Sequence, residues 1–324
     1  MTVVTEHTDT KTPARPAPAP RRRKPLGTRA YKAFRVVALV AVVLFLVAPL
    51  FWMLLASFKT NVDIYDTGKS FFFTPTGENY ANVLQRNNYF VFIFNSFWVA
   101  FVSTVLSLVL GVPAAYAMSR FTMHRSALVV LMARVIPGVS LLVPWYYVFS
   151  NLKMVGGFEV LILSHMFVSL LVPWYYVFSN LKMVGGFEVL ILSHMFVALP
   201  LIVYIMMSYF DSLPLELEES AQVDGLTPIG AFRRITLPLS VSGIATAGIL
   251  SFIFSWNNFM FALVLSGSKT KTLPVAIFDF VSYASIDWGG LMAAATVVTI
   301  PIMIIALFTQ KYIVSGLTAG ATKG

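Results

Sequence analysis

Residues 36–58 read VVALVAVVLFLVAPLFWMLLASF, 23 residues without a single charge. A hydrocarbon core about 30 Å thick is crossed by about 20 such residues in an α-helix. Lipid offers the backbone no hydrogen-bond partner, so the segment must satisfy its own N–H and C=O groups, and a helix does this. The run is too long for the apolar part of a cleaved signal, and no small-x-small site follows it. It therefore reads as a retained first span.

Upstream, residues 10–25 are rich in Pro, Ala and Arg and cannot bury enough apolar surface to fold. Residues 1–34 are thus expected to form a disordered basic tail. With Arg35, the tail gathers much of the chain's positive charge: Lys11, Arg15, Arg21, Arg22, Arg23, Lys24, Arg29 and Lys32. Basic flanks stay on the cytoplasmic side, so the net charge of +9 is not a nucleic-acid footprint. Only 11% of the chain is charged, against roughly 25% in soluble domains. With no cysteine, disulfides and thiolate metal sites are excluded.

Downstream, further uncharged or nearly uncharged runs lie within 89–119, 127–152, 160–181, 189–210, 238–268 and 288–310. The expected fold is all-α, a polytopic membrane helix bundle over residues 35–324, with seven spans by hydropathy. The odd number has a visible cause. Residues 140–168 read SLLVPWYYVFSNLKMVGGFEVLILSHMFV, and residues 169–197 repeat them letter for letter. Two copies do not make a solenoid, and a selected repeat would have diverged. The repeat reads as a recent duplication or a sequence artefact. It adds one hybrid helical segment, 160–181, to six underlying spans. A fully inserted seventh span would move Arg233, Arg234, Lys311 and Lys323 to the outer side, against the charge rule. The hybrid segment is therefore expected either not to cross completely or to disable the protein.

The most informative polar stretch is 211–238, DSLPLELEESAQVDGLTPIGAFRRITLP. Pro214 suits the start of a helix, and Glu216, Glu218 and Glu219 favour its positive end. Gly225 supplies a left-handed stop. Thr227 and Pro228 then read as the N-cap and first residue of a second helix, with Arg233 and Arg234 near its end. A helix, a glycine elbow and a helix returning to the membrane follow. Read alone, this could also be an amphipathic hairpin resting on lipid.

The spacing Glu219-Ser220-Ala221, three residues, Gly225, nine residues, Ile235, one residue, Leu237-Pro238 resembles the EAA loop of ATP-binding-cassette importer permeases. Ser220 in place of Ala is the single departure. Ala114 to Phe121 (AAYAMSRF), Trp256 to Phe259 (WNNF), Asp287-Trp288-Gly289 and the terminus 316–324 resemble the carbohydrate-uptake, maltose-system G-like members. The resemblance implies that loop 211–238 is cytoplasmic and docks on a separate ATPase. It also implies a second homologous permease subunit, two cytoplasmic ATPase subunits, an extracytoplasmic solute-binding protein and a bacterial inner-membrane location. The solute class it implies is sugars or related small molecules.

For a solute pathway the candidates are Arg134, Trp256, Asn257 and Asn258. A central Arg costs about 2.5–3.5 kcal/mol in a span, so Arg134 must face the bundle or water, either capping carbonyls freed by Pro137 or meeting solute. Amides beside an aromatic ring suit a sugar, and equally suit hydrogen bonding between helices. Asn95 and Ser96 read as packing residues. His165 and His194 are copies of one position, too few for a metal site, and the Trp-Tyr-Tyr copies at 145–147 and 174–176 suit an interface belt. Gly267-Ser268-Lys269-Thr270 lacks the leading glycine and Gly-Lys pair of a phosphate loop. No catalytic set stands out, and neither a cofactor nor an enzyme is expected. An ion-coupled secondary transporter is the competing function, but it calls for midplane ionisable groups, of which Arg134 is the one candidate. A structural membrane scaffold is the third.

Overall fold

The computed structural model describes residues 26–86, 89–123, 125–126, 171–281 and 286–318. The described residues are helical, with one isolated bridge between Val281 and Ile286. In chain order the helices are α1 (Leu26–Ser57), α2 (Asn61–Tyr65), α3 (Glu78–Ala81), α4 (Tyr89–Arg120), α5 (Leu171–Asn180) and α6 (Phe187–Ser212). Then come α7 (Glu216–Val223), α8 (Pro228–Leu239), α9 (Val241–Trp256), α10 (Met260–Leu265), α11 (Leu273–Ala276) and α12 (Trp288–Thr318).

Among the described residues, α1, α4, α6 and α12 are long and apolar enough to cross a membrane, and the bent pair α8–α9 makes a fifth if counted as one span. The runs at 127–152 and 160–170, with Arg134, lie outside the described residues. Each of the four long helices contains a proline: Pro49, Pro113, Pro200 and Pro301. Neighbouring helices and hydroxyl side chains make such breaks tolerable in lipid.

The chain divides into two compact units, Met1–Trp52 and Met53–Gly324. In the first, α1 opens at Leu26, inside the stretch expected to be unstructured. Once a span has nucleated, extending it by a turn or two costs little, and Leu26, Ala30 and Ala33 do not oppose it. In the second, α4, α6 and α9 pack together around Val112, Ala115, Ile202, Val203, Met206, Phe210 and Ala247. The approach is close. A Cβ added to Gly111 would stand 2.8 Å from Ile202, and one at Gly243 would stand 2.7 Å from the Tyr209 ring.

Polar side chains fasten the loops to this bundle. Asn95 donates to the carbonyls of Lys269 and Lys271, and Ser96 accepts from Leu273 N, so both serve packing. The Asp287-Trp288-Gly289 stretch has a similar role. Asp287 caps α12 by accepting from Gly290 N, and it also accepts from Asn61. Trp288 Nε1 donates to Tyr65.

Of the duplicated stretch, the second copy from Leu171 onward lies among the described residues, and it is built into the bundle. Phe178, Val189 and Leu190 are buried with Val99, Ala262, Leu265 and Val275. His194 Nδ1 lies 2.7 Å from Ser255 Oγ, which also meets Ser103 Oγ at 3.0 Å. Gly185, at φ +90°, donates to Leu265 O, and its own carbonyl accepts from Thr270. The Gly267–Thr270 stretch is the turn on which Gly185 rests, with Gly267 N donating to Thr270 Oγ1.

Side-chain chemistry cannot choose between identical copies, so connectivity must. The second copy runs on into Ala198–Ser212 and its buried Ile202, Val203 and Phe210. After the first copy the matching positions of Ile202 and Val203 are Pro173 and Trp174. A Trp in place of Val203 does not fit beside Gly111.

Deleting either copy yields one and the same sequence, so only substitution can assign them. Gly185→Val forces a left-handed conformation on a β-branched residue, at about 1–2 kcal/mol or more, beside the Gly267 backbone. We expect it to lower the melting temperature of the detergent-solubilised protein. Gly156→Val, in the first copy, should leave it unchanged, because the place beside Gly267 is taken by one glycine. Equal losses from the two would refute the assignment.

Candidate functional site

Loop 211–238 has the expected helix–elbow–helix form. α7 opens at Glu216, just after Pro214, with Glu216, Glu218 and Glu219 in its first turn. It ends in a Schellman motif. Leu226 N donates to Ala221 O, Gly225 N donates to Gln222 O, and Gly225 sits at φ +93°. A Cβ on Gly225 would meet nothing within 4 Å, so the requirement for glycine is one of backbone conformation, not of space. Thr227 then caps α8, its hydroxyl accepting from Gly230 N at 3.1 Å, with Pro228 in the first turn. Within α8 the stretch Phe232–Thr236 is wound as a π-helix. At Ser240 the chain bends by 72° into α9.

The motif residues divide by face. Ala221 is buried, while Glu219, Ser220 and Gly225 are exposed. Serine in place of alanine at 220 therefore leaves its hydroxyl at the surface, where it disturbs no packing. Leu237 packs on the α4–α6–α9 core with Phe232, Ile235 is half-buried and Pro238 is exposed. Leu215, Leu217, Val223 and Ile229 leave an apolar surface on the loop, Val223 being 87% exposed.

The residue that organises the loop was legible only as a helix-dipole charge. Glu218 is 3% exposed. Its Oε2 accepts from Tyr116 Oη at 2.7 Å, and its Oε1 accepts from Arg120 Nε at 3.0 Å and Thr236 Oγ1 at 2.9 Å, with Arg120 Nη2 in contact as well. Burial alone would raise its pKa, but the donors from Arg120, Tyr116 and Thr236 outweigh it and hold the carboxyl below its ordinary value. It therefore remains charged at neutral pH. Removing one partner of such a buried pair typically costs about 3–5 kcal/mol.

Around it, the Tyr116 ring meets Phe210 and Phe232 at centroid distances of 5.6 and 4.4 Å. The Arg120 guanidinium lies 5.6 Å from the Tyr116 ring in a cation–π arrangement, and its Nη1 donates to Phe210 O. Ser119 donates to Asp211. Tyr116 and Arg120 are four apart and so share one helix face. That spacing, at the end of an apolar span, was the available sign that they act together.

Of the proposed solute-path residues, Trp256, Asn257 and Asn258 lie at the far end of α9 from the loop and are not brought together with it. Trp256 is buried and donates from Nε1 to Val298 O at 3.3 Å, in the cluster with Tyr89, Ala100 and Leu273. Asn257 is exposed and its amide donates back to Ile253 O, while Asn258 Oδ1 accepts from Phe261 N. These two amides end α9 and begin α10, which breaks the 238–268 run in two. Arg134 lies outside the described residues. His194 is buried in the bundle, and its Nε2 has no protein partner among the described residues.

Most of the chain resembles known proteins at the levels of sequence and fold. The trehalose transport system permease protein SugB of Mycobacterium tuberculosis is 34% identical over 282 residues, covering 85% of this chain and 92% of that protein. The sulfoquinovosyl glycerol transport system permease protein SmoH of Agrobacterium fabrum is 31% identical, with 85% and 88% covered. The trehalose/maltose transport system permease protein MalG of Thermococcus litoralis is 31% identical, with 89% and 96% covered. A crystal structure of a bacterial ABC transporter involved in alginate import shares the fold, with a TM-score of 0.64 at 18% identity over 90% of this chain and 99% of that one. Residues 107–319, which hold α6, the elbow and the Glu218 contacts from α4, match the binding-protein-dependent transport system inner membrane component family, and the chain belongs to that family.

Proposed function

We propose that this chain is a membrane-spanning permease subunit of an ATP-binding-cassette importer for sugars or related small solutes. In this reading loop 211–238 faces the cytoplasm and docks on a separate ATPase. Glu219, Ser220, Ala221, Gly225, Ile235, Leu237 and Pro238 form the docking element. The observation that carries the reading is the elbow: a Schellman stop at Gly225 followed at once by a Thr227 cap. It holds two short helices at a fixed angle with Leu217, Val223 and Ile229 outward. A lipid-resting hairpin has no need of so rigid a turn, and its apolar residues would share one face with the membrane.

The partners in this reading are a second homologous permease, two cytoplasmic ATPase subunits and an extracytoplasmic solute-binding protein. The sugar class is supported by the names of three relatives, which transport trehalose, maltose or a sulfoquinovosyl glycerol. For the solute path the proposed residues are Arg134, Trp256, Asn257 and Asn258. Each of the three on the α9–α10 segment also makes one local or packing hydrogen bond: Trp256 Nε1 to Val298 O, Asn257 to Ile253 O and Asn258 Oδ1 from Phe261 N.

Uptake by vesicles carrying the assembled importer separates this reading from an ion-coupled one. We expect transport to require the ATPase and ATP and to be indifferent to a proton or sodium gradient alone; gradient-driven uptake without the ATPase would overturn the reading. Gly225→Val should leave membrane insertion intact and abolish solute-stimulated ATP hydrolysis, since the elbow loses its left-handed residue at about 1–2 kcal/mol and α7 is misaimed. Unaltered stimulation would count against the elbow. Removing one 29-residue copy should give a six-span chain that transports at least as well as the full one. Loss of uptake on that deletion would mark the repeat as a selected feature.

A further inference from the structure

Very little apolar surface holds α7 to the bundle. Of its residues only Glu218 and Ala221 are buried, and Ala221 offers a single methyl group. By chain connection the loop reaches α6 through residues 213–215 and α9 through α8. It has no such connection to α4. The Glu218 carboxylate supplies one: Tyr116 and Arg120 belong to the last turns of α4, Thr236 belongs to α8, and all three donate to the same two oxygens.

We infer that Glu218 is the positioning residue through which displacement of α7 reaches α4, so that this helix moves with the loop instead of sliding past it. The inference rests on the reading of loop 211–238 as an ATPase-docking element. Apolar contact is non-directional, so neighbouring helices can shift along it at small cost. Charge-assisted hydrogen bonds fix distance and angle. A buried carboxylate cannot leave its donors without exposing an uncompensated charge to a poorly solvating interior. Two further contacts bring α6 to the same joint: Ser119 donates to Asp211, and Arg120 Nη1 donates to Phe210 O at 3.3 Å. Any motion of α7 large enough to matter must carry the end of α4 along or break this set.

This chain has no cysteine, so labels can be placed in it without background from its own residues. In the importer assembled with its partner subunits in nanodiscs, one pair of spin labels is placed at Val223 and Leu307 to follow α7. A second pair, at Phe94 and Leu307, follows α4; all three sites are exposed. Mg-ATP with vanadate is the probe, so the solute need not be known. We expect trapping to shift both distances in the unmodified chain. In Glu218→Gln the Val223 pair should still shift and the Phe94 pair should not. Tyr116→Phe and Arg120→Lys, which keep the packing, should each reduce the Phe94 shift while sparing that of Val223, and they decide the matter if Glu218→Gln does not assemble. A full Phe94 shift in these variants would overturn the joint while leaving the docking reading intact. An ATPase that fails to associate with the unmodified chain would overturn the docking reading, and this inference with it.

Discussion

The bundle depends on how closely α4 can approach α6 and α9. In lipid there is no hydrophobic drive between helices, so association rests on van der Waals contact and on hydrogen bonds made where backbones come near. Small residues permit that approach. α4 presents Ser103, Ser107, Gly111 and Ala115 as buried positions, and α9 presents Gly243, Ala247, Gly248 and Ser251. With Ile202 only 2.8 Å from a Cβ at Gly111, one added methyl group would push α6 away. The Glu218 set sits at the end of this seam. It holds its geometry because Tyr116 and Phe210 arrive on helices whose spacing is already fixed.

Much of this was legible in the sequence. Charge-free runs placed α4 and α6 within a few residues of their bounds, and α1 and α12 at one end each, α1 starting ten residues earlier and α12 running eight residues further, because the demand for internal backbone bonding leaves a span no other conformation. The loop was legible for a related reason. Pro214, Gly225, Thr227 and Pro228 each act through the local backbone, so their effects do not depend on what surrounds them. Glu218 was not legible in its actual role, since Tyr116 and Arg120 lie about a hundred residues away on α4 and nothing local marks it as buried. A glutamate in the first turn of a helix ordinarily faces water. The break at Asn257 and Asn258 was missed for the opposite reason: two amides inside an apolar run read as contacts to solute or to another helix, and nothing in that reading marks the hydrogen bonds they make to carbonyl and amide groups of their own turn.

The repeat shows the limit of reading composition. Hydropathy treats both copies alike and counts an additional span. Packing adds what hydropathy leaves out, because a place in a bundle is defined by what precedes and follows it. The second copy keeps its neighbours Ala198–Ser212 and through them its contacts with α4. What a repeat contributes to a bundle thus depends on its junctions, here the one that leads from Val197 into Ala198.

The bend at Ser240 has a mechanical meaning. α8 lies at 72° to α9 and, at 1.5 Å per residue, is an arm of about 18 Å. A rod set so steeply across a shaft delivers little thrust along it and mostly leverage about it. Work done on the loop would thus reach the membrane as torque, and a helix that swivels can change which of its side chains line a passage without ever changing its depth.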